Sequence, residues 1–181
     1  MSPMQASAST DPLMTIGVVA GRDTSIASYH LAQVNVSRLR APIDSRRLRG
    51  FVLNHDRVNA AAKAAPGFVW RLEQDVHADG LASASEWDAD ASFGVVVNLS
   101  VWRDVEALES YTYGRAHGAM LARRREWFQQ MPEAHLALWW IAAGTTPTTS
   151  EALARIRHLR AHGPTPHAFT LHTRFPAPET R

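Results

Sequence analysis

The sequence predicts an α+β domain with one antiparallel sheet. Segments that alternate apolar and polar residues recur between segments with helical spacing, in the order β-α-β-β-α-β-α-β. Two βαβ-type halves joined by a β-loop-β connection form the ferredoxin-like arrangement, which we expect to carry its helices on one face. A chain of 181 residues without cysteine is long enough to bury its core without disulfides.

Alternating hydrophobicity marks the strands. In the first strand Ala32, Val34 and Val36 share one face, and Gln33 and Asn35 share the other. The third strand contains a valine run, which predicts burial on both faces. The five predicted strands are Tyr29–Leu39, Phe68–Gln74, Phe93–Trp102, His135–Gly144 and His167–Phe175.

Capping residues and helix breakers bound the predicted helices. Pro42 and Asp44 open the first, and Pro66-Gly67 ends it. Asp104 caps the second, in which Gly114 predicts a break. Thr149 or Ser150 caps the third and Gly163 ends it, while the polar stretch 75–90 predicts a long loop.

Composition bounds the domain and its partners. Residues 1–28 are rich in small side chains and predict a flexible, dispensable tail before a domain over 29–176, with a C-terminal tail over 177–181. The formal charge is +2 and the arginines are scattered, so we expect no nucleic-acid partner. No apolar run reaches the length of a membrane span, so we expect no membrane partner and a cytoplasmic location.

Polar residues on the two central strands indicate a site. The first strand carries Gln33 and Asn35, and the third carries Asn98 and Ser100 and ends at Trp102. Burying an unpaired amide costs about 1–3 kcal/mol. These groups therefore bond one another, bond buried water or face a polar cavity, and we interpret them as a cavity wall.

His117 is the histidine with the strongest functional pattern. At helical spacing it shares a face with Tyr113, Met120 and Arg124. Such an imidazole fits three roles, which the sequence leaves open: an acid or base, a haem ligand, or a hydrogen-bonded core residue. His158 and His162 have the i, i+4 spacing of metal ligands, but they lack an acidic partner, so we predict no metal site.

Several strings resemble a bacterial family known as domain of unknown function 3291, over about Leu31 to Phe175. They are LAQVNV, GFVWRL, NLSVWRDVEALESYTYGRAHGAMLARRREWF and LWWIAAGTTPTTSEALARIRHLRAHGPTPHAF. That family is similar to the dimeric α/β-barrel superfamily, which includes antibiotic-biosynthesis monooxygenases, chlorite dismutases and haem-dependent aldoxime dehydratases. The resemblance implies a homodimer that joins two sheets, with a cavity between sheet and helices. A solitary sheet with an exposed apolar face predicts the same dimer.

Three functions fit these features. One is a cofactor-independent, monooxygenase-like oxidoreductase acting on a small apolar molecule. Another is a haem protein with His117 as axial ligand and Arg71 or Arg124 at the propionates. The third is a non-catalytic binding or sensor module. No cofactor is favoured, and haem remains the alternative. The candidate catalytic residues are His117 and Asn98, and the candidate ligand-binding residues are Gln33, Asn35, Arg71, Ser100, Trp102 and Tyr113.

Overall fold

The computed structural model describes residues 29–73, 81–82 and 84–179. The predicted N-terminal tail, 1–28, lies outside this part of the chain. None of the helices described is long and apolar enough to cross a membrane. The elements are β1 (Tyr29–Arg38), α1 (Arg49–Lys63), β2 (Phe68–Arg71), β3 (Leu81–Ala82), α2 (Ala84–Trp87), β4 (Val95–Trp102), α3 (Val105–Thr112), α4 (Arg115–Trp127), β5 (Leu136–Ala142) and α5 (Thr149–His162).

The strands form one antiparallel sheet in the order β2-β4-β1-β5, with the short β3 paired to β4. This order is that of the ferredoxin-like arrangement, so the predicted fold class is confirmed. β1 and β4 are the central pair, as predicted. Their register sets Leu31 opposite Trp102, Gln33 opposite Ser100 and Asn35 opposite Asn98.

The two faces of the sheet differ in what covers them. α1, α3 and α4 lie on the face that carries Leu31 and Trp102, as expected for this fold. The expectation that the helices share one face is wrong for α5, which packs on the opposite face. Its buried residues Ala152, Ile156 and Leu159 recur at i, i+4 and i+7, so they form a stripe that covers the apolar side of the sheet.

This position of α5 bears on the predicted homodimer. Val34, Leu99 and Trp139 lie on the face beneath α5, and each is no more than 1% exposed in the single chain. An exposed apolar sheet face was the physical reason to expect sheet-to-sheet contact, and here that face is already covered. The covered face therefore gives no reason for sheet-to-sheet contact, and the homodimer stays a prediction.

The starts of two predicted helices differ from the structure. The first helix begins at Arg49, because the chain turns between Pro42 and Ser45, where the Ser45 N–H donates to the Pro42 carbonyl at 3.0 Å. Thr148, one residue before the predicted cap, caps α5 by accepting from the Glu151 N–H.

The predicted last strand, His167–Phe175, is not a strand in the structure. Phe169 forms a single bridge with Leu138 on β5, and no ladder continues from it. The alternation there reflects Phe169 and Phe175 packing on the sheet rather than regular pairing. Conversely, the described part of the predicted 75–90 loop contains β3 and α2, whereas residues 75–80 and 83 lie outside the described residues. The break near Gly114 is confirmed, since α3 ends at Thr112 and α4 begins at Arg115.

A buried ion pair ties the end of β1 to two loops. The Arg38 guanidinium donates to both carboxylate oxygens of Asp88, at 2.6 and 2.8 Å, and to Glu133 at 2.9 Å. The side chains of Arg38 and Asp88 are 11% and 4% exposed. Because a buried guanidinium needs its counter-charge, the pair holds the segment after α2 and the approach to β5 against β1.

We expect Asp88→Asn to lower the free energy of unfolding by about 2–4 kcal/mol, because it leaves the Arg38 charge partly uncompensated. Urea denaturation measures this change. The control is Asp90→Asn, because Asp90 lies 3.9 Å from the same guanidinium but is 85% exposed. Removing that charge should cost less than about 1 kcal/mol. Equal effects of the two substitutions would contradict a role for burial.

Candidate functional site

A cavity of about 590 Å³ lies between the polar face of the sheet and helices α1, α3 and α4. Its floor is formed by β1, β2 and β4, because the polar positions of these strands all point to this side. Apolar and aromatic side chains supply most of the helical wall. They include Phe51, Val58, Ala62, Leu108, Tyr111, Met120, Leu121 and Trp127.

A chain of hydrogen bonds crosses the floor of the cavity. The Trp102 indole N–H donates to Ser100 Oγ at 2.9 Å, and Ser100 Oγ donates to Gln33 Oε1 at 2.8 Å. Gln33 Nε2 in turn donates to the Asn98 backbone carbonyl at 3.4 Å. These groups line the cavity and also satisfy one another, so the two interpretations of the polar face, cavity wall and internal network, both apply to them.

The next row of the floor has amide groups that the network does not use. Asn35 and Asn98 stand directly opposite each other on β1 and β4 and both are half-buried. Asn35 Oδ1 accepts from Ser37 Oγ at 2.9 Å. Within the described part of the chain, neither the Asn35 NH₂ group nor the Asn98 side chain has a hydrogen-bond partner. The cavity therefore presents amide donors that are available to a ligand.

His117 lies in the first turn of α4 and borders the cavity. Its Nδ1 is 2.9 Å from the Thr112 backbone carbonyl, and its ring is 4.9 Å from that of Tyr111. A carbonyl oxygen only accepts, so Nδ1 carries the proton, and in the neutral ring Nε2 is an acceptor that bonds no described residue. A backbone carbonyl therefore anchors His117 while its ring lines the cavity, and its role as acid, base or haem ligand stays a prediction.

Tyr111, which the sequence did not single out, is an aromatic wall of the cavity. It stacks on Trp102 with ring centroids 4.9 Å apart and planes 25° apart, and its hydroxyl donates to the Val58 carbonyl at 3.3 Å. Burial raises the pKa of Tyr111 to about 12. Leu108 is three residues earlier and buried, so helical spacing could have indicated this position. Tyr113, the predicted tyrosine, is 67% exposed at the rim.

Arg71 is the basic group on the floor. It is half-buried on β2 beside Ser100, its partner in the strand register. It makes no ion pair or hydrogen bond with the described residues, and burial lowers the pKa of its guanidinium. Arg40, Arg124 and Arg125 also border the cavity, whereas none of its described residues is aspartate or glutamate.

The structure brings all eight sequence-predicted residues to one cavity. Three features of its wall were missed besides Tyr111: His55 and Asn59 on α1, and His135 before β5. His55 and Asn59 are one helical turn apart, but no pattern links α1 to the polar strands, so only the fold shows that they meet. The residues brought together are Gln33, Asn35, Arg71, Asn98, Ser100, Trp102, Tyr113 and His117.

The remaining histidine cluster lies away from the cavity. The rings of His158 and His162 are 4.6 Å apart, and His167 packs 4.7 Å from His158. His158 Nε2 is 2.9 Å from Thr165 Oγ1, and His167 Nδ1 is 2.7 Å from the Arg155 guanidinium. The described residues contain no group of three or more side chains placed to hold a metal ion.

Comparisons with known proteins yield one family and several solved structures. The family model described as a domain of unknown function (DUF3291) matches residues 30–181. The comparison with curated proteins yields no match. The similar structures include PA3566 from Pseudomonas aeruginosa, with 13% identity and a TM-score of 0.42 over 65% of this chain and 97% of that one. NE2512 from Nitrosomonas europaea, a protein of unknown function, has 8% identity and a TM-score of 0.40, and the match covers 67% of this chain and 95% of that one. SnoaB, a cofactor-independent oxygenase from Streptomyces nogalater, has 16% identity and a TM-score of 0.38, and the match covers 65% of this chain and 95% of that one.

The raised pKa of Tyr111 predicts a late phenol ionisation. In a UV titration we expect one tyrosine of the folded protein to ionise near pH 12, and Tyr111→Phe to remove that step. A tyrosine in the unfolded chain ionises at about pH 10. Above that pH the unfolded state therefore binds fewer protons than the folded state. The contribution of the Tyr111 phenol to the free energy of unfolding is therefore fully present below about pH 10, and it declines as the pH rises towards 12. An unchanged titration in Tyr111→Phe would contradict this assignment.

Proposed function

This chain belongs to the family described as domain of unknown function (DUF3291), and on that premise we propose that it binds a small, mostly apolar organic molecule in the cavity and oxygenates it without a cofactor. One observation carries the proposal: the Asn35 NH₂ group and the Asn98 amide, which bond no described residue, share a cavity with His117, whose Nε2 is an acceptor. Small-molecule sites combine apolar walls with a few convergent polar groups in this way.

The volume and lining of the cavity support binding. About 590 Å³ lies within the ordinary range for ligand pockets, about 300–1,000 Å³. Trp102, Tyr111 and Phe68 form a contiguous aromatic group, with Phe68 edge-on to Trp102 at 5.5 Å. Aromatic groups of this kind favour a planar, conjugated ligand, which stacks on their faces and edges.

The polar groups support proton abstraction next to a carbonyl. His117 Nε2 would accept the proton, and an amide N–H of Asn98 would donate to the enolate oxygen that forms. An electron-rich enolate reduces dioxygen directly. In a reaction that converts a CH₂ group and O₂ into a C=O group and water, the four electrons lost by carbon are those gained by dioxygen. No external reductant is required.

The test uses 2-tetralone, a bicyclic ketone with exchangeable C–H groups beside its carbonyl. Proton exchange with deuterated water, followed by NMR, reports the base, and an oxygen electrode reports oxygenation. We expect His117→Asn to slow exchange by about 100-fold, because positioned general bases contribute about that factor or more. Asn98→Ala should slow exchange and oxygen uptake alike, because it removes the donor to the enolate.

The control is His162→Asn, which removes an imidazole from α5 on the other face of the sheet. It should leave both rates unchanged. If His117→Asn keeps full exchange but lowers the melting temperature, His117 is structural and the base assignment is wrong. If the wild-type protein neither exchanges nor oxygenates 2-tetralone, the enzymatic part of the proposal fails, and ligand binding is then tested separately.

A haem-binding function is the second candidate, and one observation favours it. Histidines that bind metals commonly donate their other ring N–H to a backbone carbonyl, as His117 Nδ1 does to Thr112. Arg71 and Arg124, which border the cavity, would pair with the propionates, and haem would supply iron redox chemistry there.

Titration with hemin separates the two functions. The oxygenase proposal expects no stoichiometric Soret band in the wild-type protein, because the site is assigned to an organic substrate. A stoichiometric band that His117→Ala abolishes would instead support the haem function. His162→Asn serves again as the control for nonspecific histidine ligation.

A further inference from the structure

We infer that the cavity is built for an organic anion, an aromatic carboxylate whose charged group is held by Arg71. The inference rests on the proposed function, since it specifies the class of molecule that the same cavity takes. It comes from two observations that the enzymatic chemistry does not use: an arginine on the floor without a counter-ion among the described residues, and the charge of the described lining.

Arg71 is held in place but has no counter-ion among the described residues. Strand pairing fixes the Arg71 backbone beside Ser100. The Ser100 hydroxyl already bonds Gln33, so neither side chain accepts a hydrogen bond from the Arg71 guanidinium. Glu73, two residues on, forms an ion pair with Lys63, and Asp56 of α1 lies beyond bonding distance. A half-buried guanidinium without an acceptor is costly, and a ligand carboxylate would supply two.

The arginines that border the cavity lack the carboxylate partners that several other arginines have. Arg38 pairs with Asp88, Arg123 with Glu126 and Arg155 with Glu151. Arg157 and Arg160, also away from the cavity, donate to backbone carbonyls. At the cavity, Arg40 and Arg124 donate only to the backbone carbonyls of Phe128 and Leu121. These positive groups face no carboxylate among the described lining residues. The described lining of the cavity therefore carries positive charge, which attracts anions, and no carboxylate that would cancel it.

The surroundings of Arg71 indicate the rest of the ligand. Trp102 lies next to Ser100 on β4, and it joins Phe68 and Tyr111 in the aromatic group described above. A carboxylate on Arg71 would therefore leave the attached ring against these side chains. A guanidinium binds a carboxylate in a planar, bidentate geometry, which also orients the attached ring. This combination selects an aromatic acid over both an aliphatic acid and a neutral aromatic.

The experiment compares 2-naphthoate with 2-naphthamide, which has the same rings and a neutral group of the same shape. Binding is measured by isothermal titration calorimetry. We expect the wild-type protein to bind naphthoate at least about tenfold more tightly than naphthamide, which corresponds to about 1.4 kcal/mol. Arg71→Gln should abolish this preference through loss of naphthoate affinity alone. Arg71→Lys should retain part of the preference for naphthoate, because the charge remains but the bidentate geometry is lost.

Two further measurements separate a ligand site from a structural role. Arg157→Gln removes the same charge from α5 on the other side of the sheet and should leave both affinities unchanged. Arg71→Gln should not lower the melting temperature of the free protein, because the guanidinium bonds no described residue. A large fall would show that Arg71 is structural and would overturn the inference.

The outcomes also distinguish the inference from the function on which it rests. If the wild-type protein binds both compounds with equal affinity, the anion preference is wrong and the small-molecule cavity stands. If naphthoate is preferred but Arg71→Gln keeps the preference, the assignment to Arg71 is overturned. If neither compound binds, the proposed function fails, and this inference fails with it.

Discussion

The antiparallel pairing of β1 with β4 is the constraint on which the rest of the structure depends. Successive side chains of a strand point to opposite faces, so the register decides which residues of the two strands share a surface. Here it sets polar against polar, Gln33 with Ser100 and Asn35 with Asn98. A slip of one residue would move the polar row of one strand into the apolar core and leave its amides without partners. The register therefore has a large energetic preference and needs no further device to hold it.

The helices cover the two faces of the sheet to different extents. α5 covers the centre of the apolar face, because it brings a stripe of small and branched side chains onto it. Trp139 on that face donates its indole N–H to Glu151 of the helix. The polar face does not close in the same way. α1 meets α4 through the packing of Phe51 on Trp127 and Phe128, and the space between these helices and the strands remains as the cavity. The difference arises because apolar surface gains from contact, whereas amides and a guanidinium lose water on closure.

Within the cavity, the hydrogen bonds divide the polar residues into two groups. Gln33, Ser100 and Trp102 satisfy one another and so rigidify the floor. The side chains of Asn98 and Arg71 lie at the edges of this network and take no part in it. A rigid, satisfied row beside uncommitted donors is the arrangement that preorganised sites use, since the donors are aimed before the ligand arrives. The anchoring of His117 by the Thr112 carbonyl has the same effect on the imidazole.

The sequence by itself determined the fold class, the central strand pair and the polar residues that would share a surface. These follow from local rules, because the period of a strand assigns side chains to faces and Asp104 or Gly163 bounds a helix whatever lies nearby. Only the tertiary structure decided that α5 crosses to the opposite face, that Phe169 joins β5 through one bridge, and that Tyr111 lies inside the cavity while Tyr113 lies at its rim. It also decided that Arg71 has no counter-ion among the described residues. Pairing, burial and exposure depend on residues far apart in the chain, and these distant neighbours leave no local pattern in the sequence.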